Sequence, residues 1–346
     1  MTKSYADASG KIFELQQEIY WKQLLESKIL IVDIDTREPK GKNEILNSEK
    51  MNWEALETSG GQLVSGAVLG HYLYGTLSWL SSCVLPSILI ISIAKIHGYS
   101  YKFVQAERME GYHDSWVSPH VLRSLLPNYQ FIVTMDADVT ITHPEVGVEW
   151  LFNHWGVTNN TSIAMPWDQR EIQNEVVQSV DSKGLQVLNT GVVVVQNLPY
   201  TKKILDAWIE CPDETRYEGC GRWKDVWSHE QRAFSEYIRY DFNPDGDNIV
   251  VSYTVSNQCV QRAEQVRDKP IPCDDAMGWP HMVDEYPGRI LSDCNGNFFR
   301  HHTLSKPKAK ESMSTASMQL LTELLHRSFL DNKDELWYKE NATSDR

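Results

Sequence analysis

The residues with the clearest chemical meaning in this chain are two aspartates that directly follow an apolar run. The run from Phe131 to Met135 predicts a buried strand, and Asp136-Ala137-Asp138 continues it without a break. Residues i and i+2 of extended backbone point to the same side, so we expect the carboxylates of Asp136 and Asp138 to converge. Because neighbouring carboxylates repel each other, a hard divalent cation that also binds a diphosphate is their natural occupant.

The elements that must position these aspartates alternate between strands and helices. Strands are predicted at Ile29 to Ile34 and Ser100 to Val104, and a helix at Val117 to Leu126 precedes the aspartate strand. Two further strands are predicted at Ser162 to Met165 and Leu188 to Val195. This alternation predicts an α/β fold with a Rossmann-like, mostly parallel sheet that helices cover on both faces. Ligands of such sheets bind at the carboxyl ends of the strands, where the two aspartates lie.

One domain is the simplest organisation for this chain of 346 residues, because no internal repeat is visible. We predict a single domain over residues 1–310, in which residues 1–60 supply a helix, a strand and a connection. That first helix is indicated by the helical spacing of Ile12, Leu15, Ile19 and Tyr20. Residues 311–346 are predicted to form a C-terminal helix and tail, with apolar positions at Met318, Leu321, Leu325 and Phe329.

The composition excludes one class of partner and gives no evidence of membrane association. The chain has 33 basic and 47 acidic residues and a net charge of −14, which argues against a nucleic-acid partner. No apolar leader segment is visible at the amino terminus. The stretch from Gly60 to Ala94 has no charged side chain, but His71, Gly75 and Pro86 favour a buried helix pair over a transmembrane helix.

The six cysteines contain no CxxC pair, which disfavours a zinc site. Cys211 and Cys220 flank a short acidic loop and form a candidate disulfide if the compartment is oxidising. Glycosylation sequons begin at Asn159, Asn160 and Asn341, and they matter only in a secreted chain. The compartment and the oligomeric state stay open at this point.

Five short motifs occur in an order that resembles the retaining GT-A glycosyltransferases, and among them family 34, the α-galactosyl and α-mannosyl transferases best known in fungi. The resemblance spans residues 85–310 and implies a GT-A fold. The motifs are, in chain order, His97 to Tyr101, Asp136 to Asp138, Leu188 to Gly191, Ser228 to Gln231, and His301-His302 with Lys306-Pro307.

By this resemblance, the segment Asp136 to Asp138 matches the family's DxD motif, whose aspartates hold Mn²⁺ or Mg²⁺ against the donor diphosphate. His301 or His302 then completes the set of cation ligands, and the two are equal candidates. Lys306 is implied to contact a phosphate oxygen of the donor.

Two further motifs are implied to contact the donor sugar. Asn189-Thr190-Gly191 matches the strand start that lies under the sugar, and His229-Glu230-Gln231 matches an acidic turn at a helix start that contacts the reacting sugar. Asn189, Glu230 and Gln231 are the candidate catalytic residues, and Glu230 or Gln231 would steady an oxocarbenium-like sugar. Each motif also has a structural interpretation. Asn189-Thr190-Gly191 could be a turn that starts a strand, and His229-Glu230-Gln231 could be the start of a helix capped by Ser228.

The implied function is metal-dependent transfer of a sugar from a nucleotide donor to a hydroxyl of a glycan or small-molecule acceptor, with retained configuration. Donors in the family include UDP-galactose, UDP-xylose and GDP-mannose, and the departing phosphate oxygen takes the acceptor proton. Trp116, Trp167 and Trp223 are candidates for an acceptor groove, although core packing is favoured for each. Most family members are anchored in the Golgi by an amino-terminal helix that is not visible here. We therefore expect a cytoplasmic enzyme or a trimmed lumenal domain.

Two other functions fit part of the pattern. Asp136 and Asp138 with Thr140 also resemble the haloacid dehalogenase phosphatases, in which the first Asp is the nucleophile and the second the acid/base. Asp274-Asp275 would then bind Mg²⁺, but about 130 residues precede a motif that normally lies on the first strand of that fold. A non-catalytic carbohydrate-binding or membrane-associated protein built around residues 60–94 is the third hypothesis, and the intact aspartate pair disfavours it.

Overall fold

The structure, a computed structural model, describes residues 1–15, 18–38, 40–41, 43–56, 62–76, 97–173, 176–242, 268–282, 290–291, 294–304 and 306–333. Its strands are, in chain order, β1 (Ser4–Ala6), β2 (Ile12–Glu14), β3 (Ile29–Asp35), β4 (Ser100–Gln105), β5 (Phe131–Met135), β6 (Val139–Ile141), β7 (Ile163–Pro166), β8 (Glu171–Gln173), β9 (Val176–Val177), β10 (Val192–Gln196), β11 (Asp268–Ile271), β12 (Ile290–Leu291) and β13 (Phe299–His301). Its α-helices are α1 (Gln62–Thr76), α2 (Val117–Leu125), α3 (Val148–His154), α4 (Pro199–Glu210), α5 (His229–Ala233), α6 (Arg239–Phe242), α7 (Cys273–Ala276) and α8 (Pro307–Asp331). A π-helical turn, Phe234–Ile238, joins α5 to α6.

Within these described ranges, six strands form the central sheet in the spatial order β11-β7-β10-β5-β3-β4. β3 runs parallel to β4 and β5, and β11 runs parallel to β7. β10 runs antiparallel to both of its neighbours, β5 and β7. All strands of this sheet except β10 therefore point the same way, which confirms the predicted α/β class with a mostly parallel sheet.

The central strands are apolar along most of their length because both faces of the sheet are buried. In β3, Ile31 belongs to the hydrophobic core that contains Phe152 of α3. Its neighbour Val32 points to the opposite face and belongs to the core that contains Leu122 of α2. Helices on both faces fix the sheet and leave the carboxyl ends of β3, β5 and β7 at one edge.

The chain begins with a β-hairpin, so the predicted amphipathic helix in the first thirty residues is wrong. β1 pairs antiparallel with β2. Asp7 fixes the turn, because its carboxylate accepts hydrogen bonds of 2.9 Å from the backbone N–H groups of Ser9 and Lys11. Ile12 of the predicted helical stripe is 64% exposed, whereas the next residue, Phe13, is buried. Burial therefore alternates along β2, as it does in a strand packed on one face.

The strands and helices predicted downstream are present, with small shifts at their ends. β5 has the predicted bounds, and β10 begins at Val192, after the turn Asn189–Gly191, instead of at Leu188. The helix pair predicted over residues 60–94 is described only in α1, because residues 77–96 lie outside the described residues. None of the helices that the structure describes combines the length and the hydropathy of a membrane-spanning helix.

The C-terminal helix α8 packs against α1, but through a different face from the one whose apolar residues predicted the helix. The residues of α8 that are buried are Ala309, Ser312, Ala316 and Leu320. The apolar positions used for the prediction are exposed, namely Met318, Leu321, Leu325 and Phe329. Small residues face α1 because the two helices approach closely, and a Cβ at Gly70 would lie 3.3 Å from the side chain of Met313.

The described part of the chain contains two disulfide bonds. Cys211–Cys220, the candidate pair from the sequence, links the end of α4 to the segment before α5. Cys273–Cys294 links α7 to the segment that leads into β13. Cys83 and Cys259 lie outside the described residues.

Candidate active site

Three of the predicted cation ligands, Asp136, Asp138 and His301, meet at the carboxyl end of β5. The backbone N–H of Asp136 donates to the carbonyl of Gly191 at 2.9 Å, which joins the end of β5 to the start of β10. The N–H of Val139 donates to the carbonyl of Asp136 at 2.9 Å, so the chain turns tightly before it enters β6. β6 pairs with β13 and sets His301 opposite Val139. The pairing of two short strands therefore brings a histidine from late in the chain to the aspartates.

These three side chains form a compact set of oxygen and nitrogen ligands. His301 Nε2 lies 3.2 Å from Asp138 Oδ1 and 3.6 Å from Asp136 Oδ2, and one ligand atom from each residue lies within 4.8 Å of the others. Asp138 and His301 are buried, whereas the side chain of Asp136 is 55% exposed and leaves the set open to solvent. Two carboxylates and one imidazole are a suitable ligand set for Mn²⁺ and also accept Mg²⁺, so the residues fit the implied cation.

The charges of this cluster depend on one another. Burial by itself would lower the pKa of His301, but the carboxylates of Asp138 and Asp136 raise that pKa above its usual value. Burial by itself would raise the pKa of Asp138, but His301 and Lys306 hold it well below its usual range. The raised pKa of His301 favours its protonated form beside the two carboxylates, and a bound cation would replace that proton as the balancing charge.

His301 is held in place by the turn before β10. Its Nδ1 lies 3.1 Å from Asn189 Oδ1, which also accepts a hydrogen bond of 2.8 Å from the N–H of Gly191. A hydrogen bond from Nδ1 leaves Nε2 directed at the aspartates, as is usual for metal-binding histidines. The imidazole lies so close to Gly191 that a Cβ there would be 2.2 Å from His301 Cε1. Position 191 must therefore be glycine for His301 to reach the aspartates.

Asp168, which was not among the residues predicted from the sequence, also contributes to the candidate site. Its carboxylate accepts hydrogen bonds from Asn189 Nδ2 and Gln231 Nε2, both at 3.2 Å. Burial raises the pKa of Asp168, and these two amide donors oppose the shift. A signal was present in the sequence, because Asp168 follows the end of β7 much as Asp136 follows the end of β5.

The start of α5 contributes two side chains that converge on Thr190. The hydroxyl of Thr190 donates to Glu230 Oε1 at 2.9 Å, and the N–H of Thr190 donates to Gln231 Oε1 at 3.1 Å. The hydroxyl of Ser115 also donates to the Glu230 carboxylate. Burial raises the pKa of Glu230 to about 7, although these hydroxyl donors oppose the shift. Both side chains are thereby held beside the turn that carries Asn189.

His302 is not brought into the cation cluster. Its Nε2 lies 3.0 Å from Thr140 Oγ1, and its ring stacks on the indole of Trp279. Burial lowers the pKa of His302 to about 3, and the charge of His301 lowers it further. His302 is therefore a neutral residue of the protein interior, and His301 is the histidine that faces the aspartates.

The remaining predicted site residues lie around this centre. Lys306 is half exposed, and its Nζ lies 3.6 Å from Asp138 Oδ2, which places it at the rim of the site. His229 is buried, and its ring stacks on the ring of His113. Ala137 is partly exposed between the two aspartates.

Asp274 and Asp275, the second acidic pair of the phosphatase hypothesis, serve a structural purpose. Asp274 Oδ1 accepts a hydrogen bond of 3.1 Å from the side chain of Asn295. Asp275 Oδ2 accepts one of 3.1 Å from the indole N–H of Trp155. Among the described residues, the group of potential metal ligands that contains Asp136 and Asp138 also contains His301, but neither Asp274 nor Asp275.

Two solved structures resemble this chain over most of its length. One is a crystal structure of a glycosyltransferase involved in the glycosylation of the major capsid of PBCV-1, with 15% identity, 83% of this chain and 98% of that chain covered, and a TM-score of 0.44. The other is the apo form of mouse xyloside xylosyltransferase 1, with 11% identity, 81% and 99% covered, and a TM-score of 0.40. No curated protein sequence matches this chain.

The model of the galactosyl transferase GMA12/MNN10 family matches residues 91–286. This match covers more than half of the 346 residues and includes both aspartates, the turn Asn189–Gly191 and the start of α5. The predicted GT-A type of α/β fold is confirmed with it, and the phosphatase and non-catalytic hypotheses are set aside. The chain belongs to the galactosyl transferase GMA12/MNN10 family and is a glycosyltransferase.

Proposed function

We propose that this glycosyltransferase moves a hexose from a nucleotide-sugar donor to a hydroxyl of a glycan or small-molecule acceptor, with retention of configuration and with Mn²⁺ or Mg²⁺ as its cofactor. The observation that carries this proposal is the convergence of Asp136, Asp138 and His301 beside the turn Asn189–Gly191. The three ligands suit a cation and a diphosphate, and the adjoining turn, with Glu230 and Gln231 around it, suits a sugar.

The cation ligands and Lys306 account for the diphosphate side of the site. A cation held by Asp136, Asp138 and His301 would offset the negative charge that develops on the departing nucleoside diphosphate. Lys306 adds a second positive charge, because its ammonium group lies at the rim and is exposed enough to contact a phosphate oxygen. Asn189, which was expected to be catalytic, is proposed as a positioning residue because it holds His301.

The reacting sugar is assigned to the space beside Thr190, where Glu230 and Gln231 converge. The bond from the anomeric carbon to the donor phosphate oxygen breaks, and a bond to the acceptor oxygen forms on the same face. The departing phosphate oxygen takes the acceptor proton, so no side chain needs to act as a strong base. Ionised Glu230 and the amide oxygen of Gln231 would stabilise the positive charge on the sugar.

Thermal unfolding with nucleotides tests the donor and the cation together. A ligand that binds only the folded state raises the melting temperature by mass action. We expect UDP or GDP to stabilise the protein in the presence of Mn²⁺ and much less without it. The nucleotide with the larger effect identifies the base of the donor, as UDP for a donor such as UDP-galactose or GDP for GDP-mannose. Equal stabilisation with and without Mn²⁺ would contradict the role of the cation.

Asp138→Asn tests the cation ligands directly. An amide oxygen is a weaker ligand for a hard cation than a carboxylate, so we expect Mn²⁺-dependent release of nucleotide from the donor to fall about 100-fold or more. Asp213→Asn, which changes an exposed acid in the loop after α4, is the matched control and should leave the rate unchanged. Unchanged turnover in Asp138→Asn, with the fold intact by circular dichroism, would sink the proposal.

We also propose that the protein matures in an oxidising compartment such as the Golgi lumen, which favours the lumenal alternative over the cytoplasm among the two compartments expected from the sequence. Both described disulfides support this, because such bonds persist in oxidising compartments and are rare in the cytosol. The asparagines of two sequons, Asn159 and Asn160, are exposed and accessible to modification there. Protein alkylated during extraction should carry no label on Cys211 or Cys220. Full labelling of both cysteines would place the chain in a reducing compartment.

A further inference from the structure

Trp227 is the most exposed large apolar side chain among the described residues, with 79% of its surface exposed. Tryptophan is largely buried in most proteins because its ring is the largest of the apolar side chains. Trp116 and Trp223, which were candidates for an acceptor groove, are instead buried in the core. The exposure of Trp227 beside the candidate active site leaves its indole accessible to a ligand.

Trp227 lies next to the sugar end of the proposed site. Its ring centroid is 5.7 Å from that of His229, which in turn stacks on His113 at 3.6 Å. A nitrogen atom of each histidine lies within 4.8 Å of a carboxylate oxygen of Glu230, and Glu230 accepts the hydroxyl of Thr190. Trp227, His229 and His113 therefore form an aromatic surface, exposed at Trp227 and His113, that borders Glu230 at the position proposed for the reacting sugar.

Backbone contacts hold this surface in place. The N–H of His113 donates to the carbonyl of Lys224 at 2.7 Å, which ties the loop before α2 to the loop before α5. The N–H of His229 donates to the carbonyl of Val226 at 2.8 Å, and the Cys211–Cys220 disulfide anchors the turn Cys220–Lys224 that leads into this loop. A surface that is fixed before its ligand arrives loses less conformational entropy on binding.

A cation is the alternative occupant of this surface, because His113, His229 and Glu230 place potential ligand atoms close together. The planes of the two histidine rings are, however, only 2° apart, with centroids separated by 3.6 Å. The in-plane lone pairs of stacked rings run side by side and do not converge on one ion, as metal ligation requires. The geometry fits an aromatic surface and not a metal site.

We propose that Trp227, supported by His229 and His113, is an acceptor subsite that binds a pyranose ring. The apolar C–H face of such a ring can stack on the indole, as aromatic surfaces do with other flat apolar faces. The stack would direct a hydroxyl of the acceptor past the histidines toward Glu230. This inference rests on the proposed sugar transfer and deepens it, because it names a glycan as the acceptor instead of a protein side chain or a non-carbohydrate metabolite.

Substitutions at Trp227 and at its neighbour test the subsite, with methyl glycosides of galactose, mannose, glucose and xylose as acceptors. Trp227→Ala should raise the acceptor KM about tenfold and shift the products from transfer toward donor hydrolysis, because the truncated side chain holds the acceptor less well. Trp227→Phe should recover part of the lost affinity. Val226→Ala changes an exposed neighbour and should leave KM and the product ratio unchanged.

An unchanged acceptor KM in Trp227→Ala overturns the subsite. A parallel loss of transfer and donor hydrolysis also overturns it, because that result indicates a structural role or a contact with the donor.

A binding measurement separates this inference from the proposed function. In protein labelled with 5-fluorotryptophan, the fluorine resonance of Trp227 is identified by its absence in Trp227→Phe. We expect it to shift on titration with at least one of the four methyl glycosides. If the enzyme hydrolyses donor but no glycoside moves the resonance, the subsite is wrong and the transferase activity stands. If no nucleotide sugar releases nucleotide, the proposed function itself fails. A shift that depends only on protein concentration would indicate a protein interface and also overturn the subsite.

Discussion

At the residue scale, the site depends on the lack of a side chain at Gly191 as much as on its charged residues. The imidazole of His301 lies against Gly191, and Asn189 holds it there through Nδ1. Asn189 is itself held by the carboxylate of Asp168. One chain of contacts, from the end of β7 to β13, thus positions the histidine that completes the proposed ligand set.

Gly191→Ala should displace His301 without disrupting the sheet. The new Cβ would lie 2.2 Å from Cε1 and 2.3 Å from Nδ1 of His301, so the ring must move from the aspartates. We expect Mn²⁺ to bind about 10- to 100-fold more weakly, as when other residues that orient a metal ligand are changed, and calorimetric titration measures this. Gly66→Ala in α1 is the matched control, because its nearest contact is 3.4 Å away and a helix favours alanine. Equal affinities in the two variants would contradict this packing.

Glu230 should give the transfer rate a pH dependence near neutrality. Burial raises its pKa to about 7, two hydroxyl donors oppose the shift, Asp136 adds to it, and His113 and His229 are the other titratable groups that face the carboxylate. Because the ionised form would stabilise the positive charge on the sugar, kcat should rise as the pH passes through about 7, where it is half-maximal, and level off at higher pH. Glu230→Gln should lower kcat by roughly 100-fold and remove this rise. A profile of kcat against pH that is the same for both proteins would exclude this role.

The same residue predicts a stability difference with a definite sign. The pKa of Glu230 is raised in the folded protein from its ordinary 4.5, so the stability it contributes is fully present below that value and is lost as the pH rises through about 7. Glu230→Gln cannot ionise and should therefore become more stable relative to the natural protein between about pH 5 and about pH 8. The gain should be on the order of 1–3 kcal/mol, measured by thermal or urea unfolding at both pH values. If the difference in stability between Glu230→Gln and the natural protein does not change with pH, Glu230 is not a buried group that ionises in this range.

At the element scale, two reversals of chain direction assemble the site. β10 runs antiparallel to β5, so the turn Asn189–Gly191 lies beside the end of β5. β13 runs antiparallel to β6, which returns His301 to the same place. If β10 were parallel to β5, its preceding turn would lie at the opposite edge of the sheet.

The apolar runs allowed the strands to be predicted but not their pairing. β5 and β10 are continuous buried runs, and their length and composition identify them. Nothing near the short strand β13 specifies β6 as its partner, because register depends on a segment far away in the chain. This explains why His301 and His302 were equal candidates from the sequence. Successive residues of extended backbone point to opposite sides, so the register that directs His301 to the aspartates turns His302 away.

Local patterns were least informative where single polar residues decide the structure. The spacing of Ile12 and Leu15 fits a helix, but the carboxylate of Asp7 stabilises a turn and so selects a hairpin. Asp168 stands alone after its strand, without the second aspartate that marks the DxD motif, and its contacts become visible only when β7 and β10 are side by side.

The disulfide Cys273–Cys294 should strengthen cation binding as well as stability. It joins α7 to the segment that leads into β13, and it thereby restrains the strand that carries His301. Replacing both cysteines by serine should cost about 3 kcal/mol for a bridge that spans 21 residues, and should also weaken Mn²⁺ binding. Replacing the Cys211–Cys220 pair should lower the melting temperature without changing the Mn²⁺ affinity. Equal Mn²⁺ affinities of the two double variants, measured by calorimetric titration, would contradict this prediction.

At the scale of the whole molecule, the sheet provides the stability and leaves the site at one edge. Helices cover both faces, which is why the alternation of apolar runs was enough to predict the fold class. The net charge of −14 favours cations near the protein and repels a free nucleoside diphosphate. The donor should therefore associate most readily together with its divalent ion.

His301 is made late in the synthesis of the chain. The strands from β3 to β10, the two aspartates and the turn at Gly191 all leave the ribosome before it, and early segments generally begin to fold first. A nascent chain can therefore build most of its sheet while the cluster still lacks an imidazole. Competence to use the donor should then arise only once β13 has paired with β6, so that unfinished or prematurely cut chains do not consume nucleotide sugar.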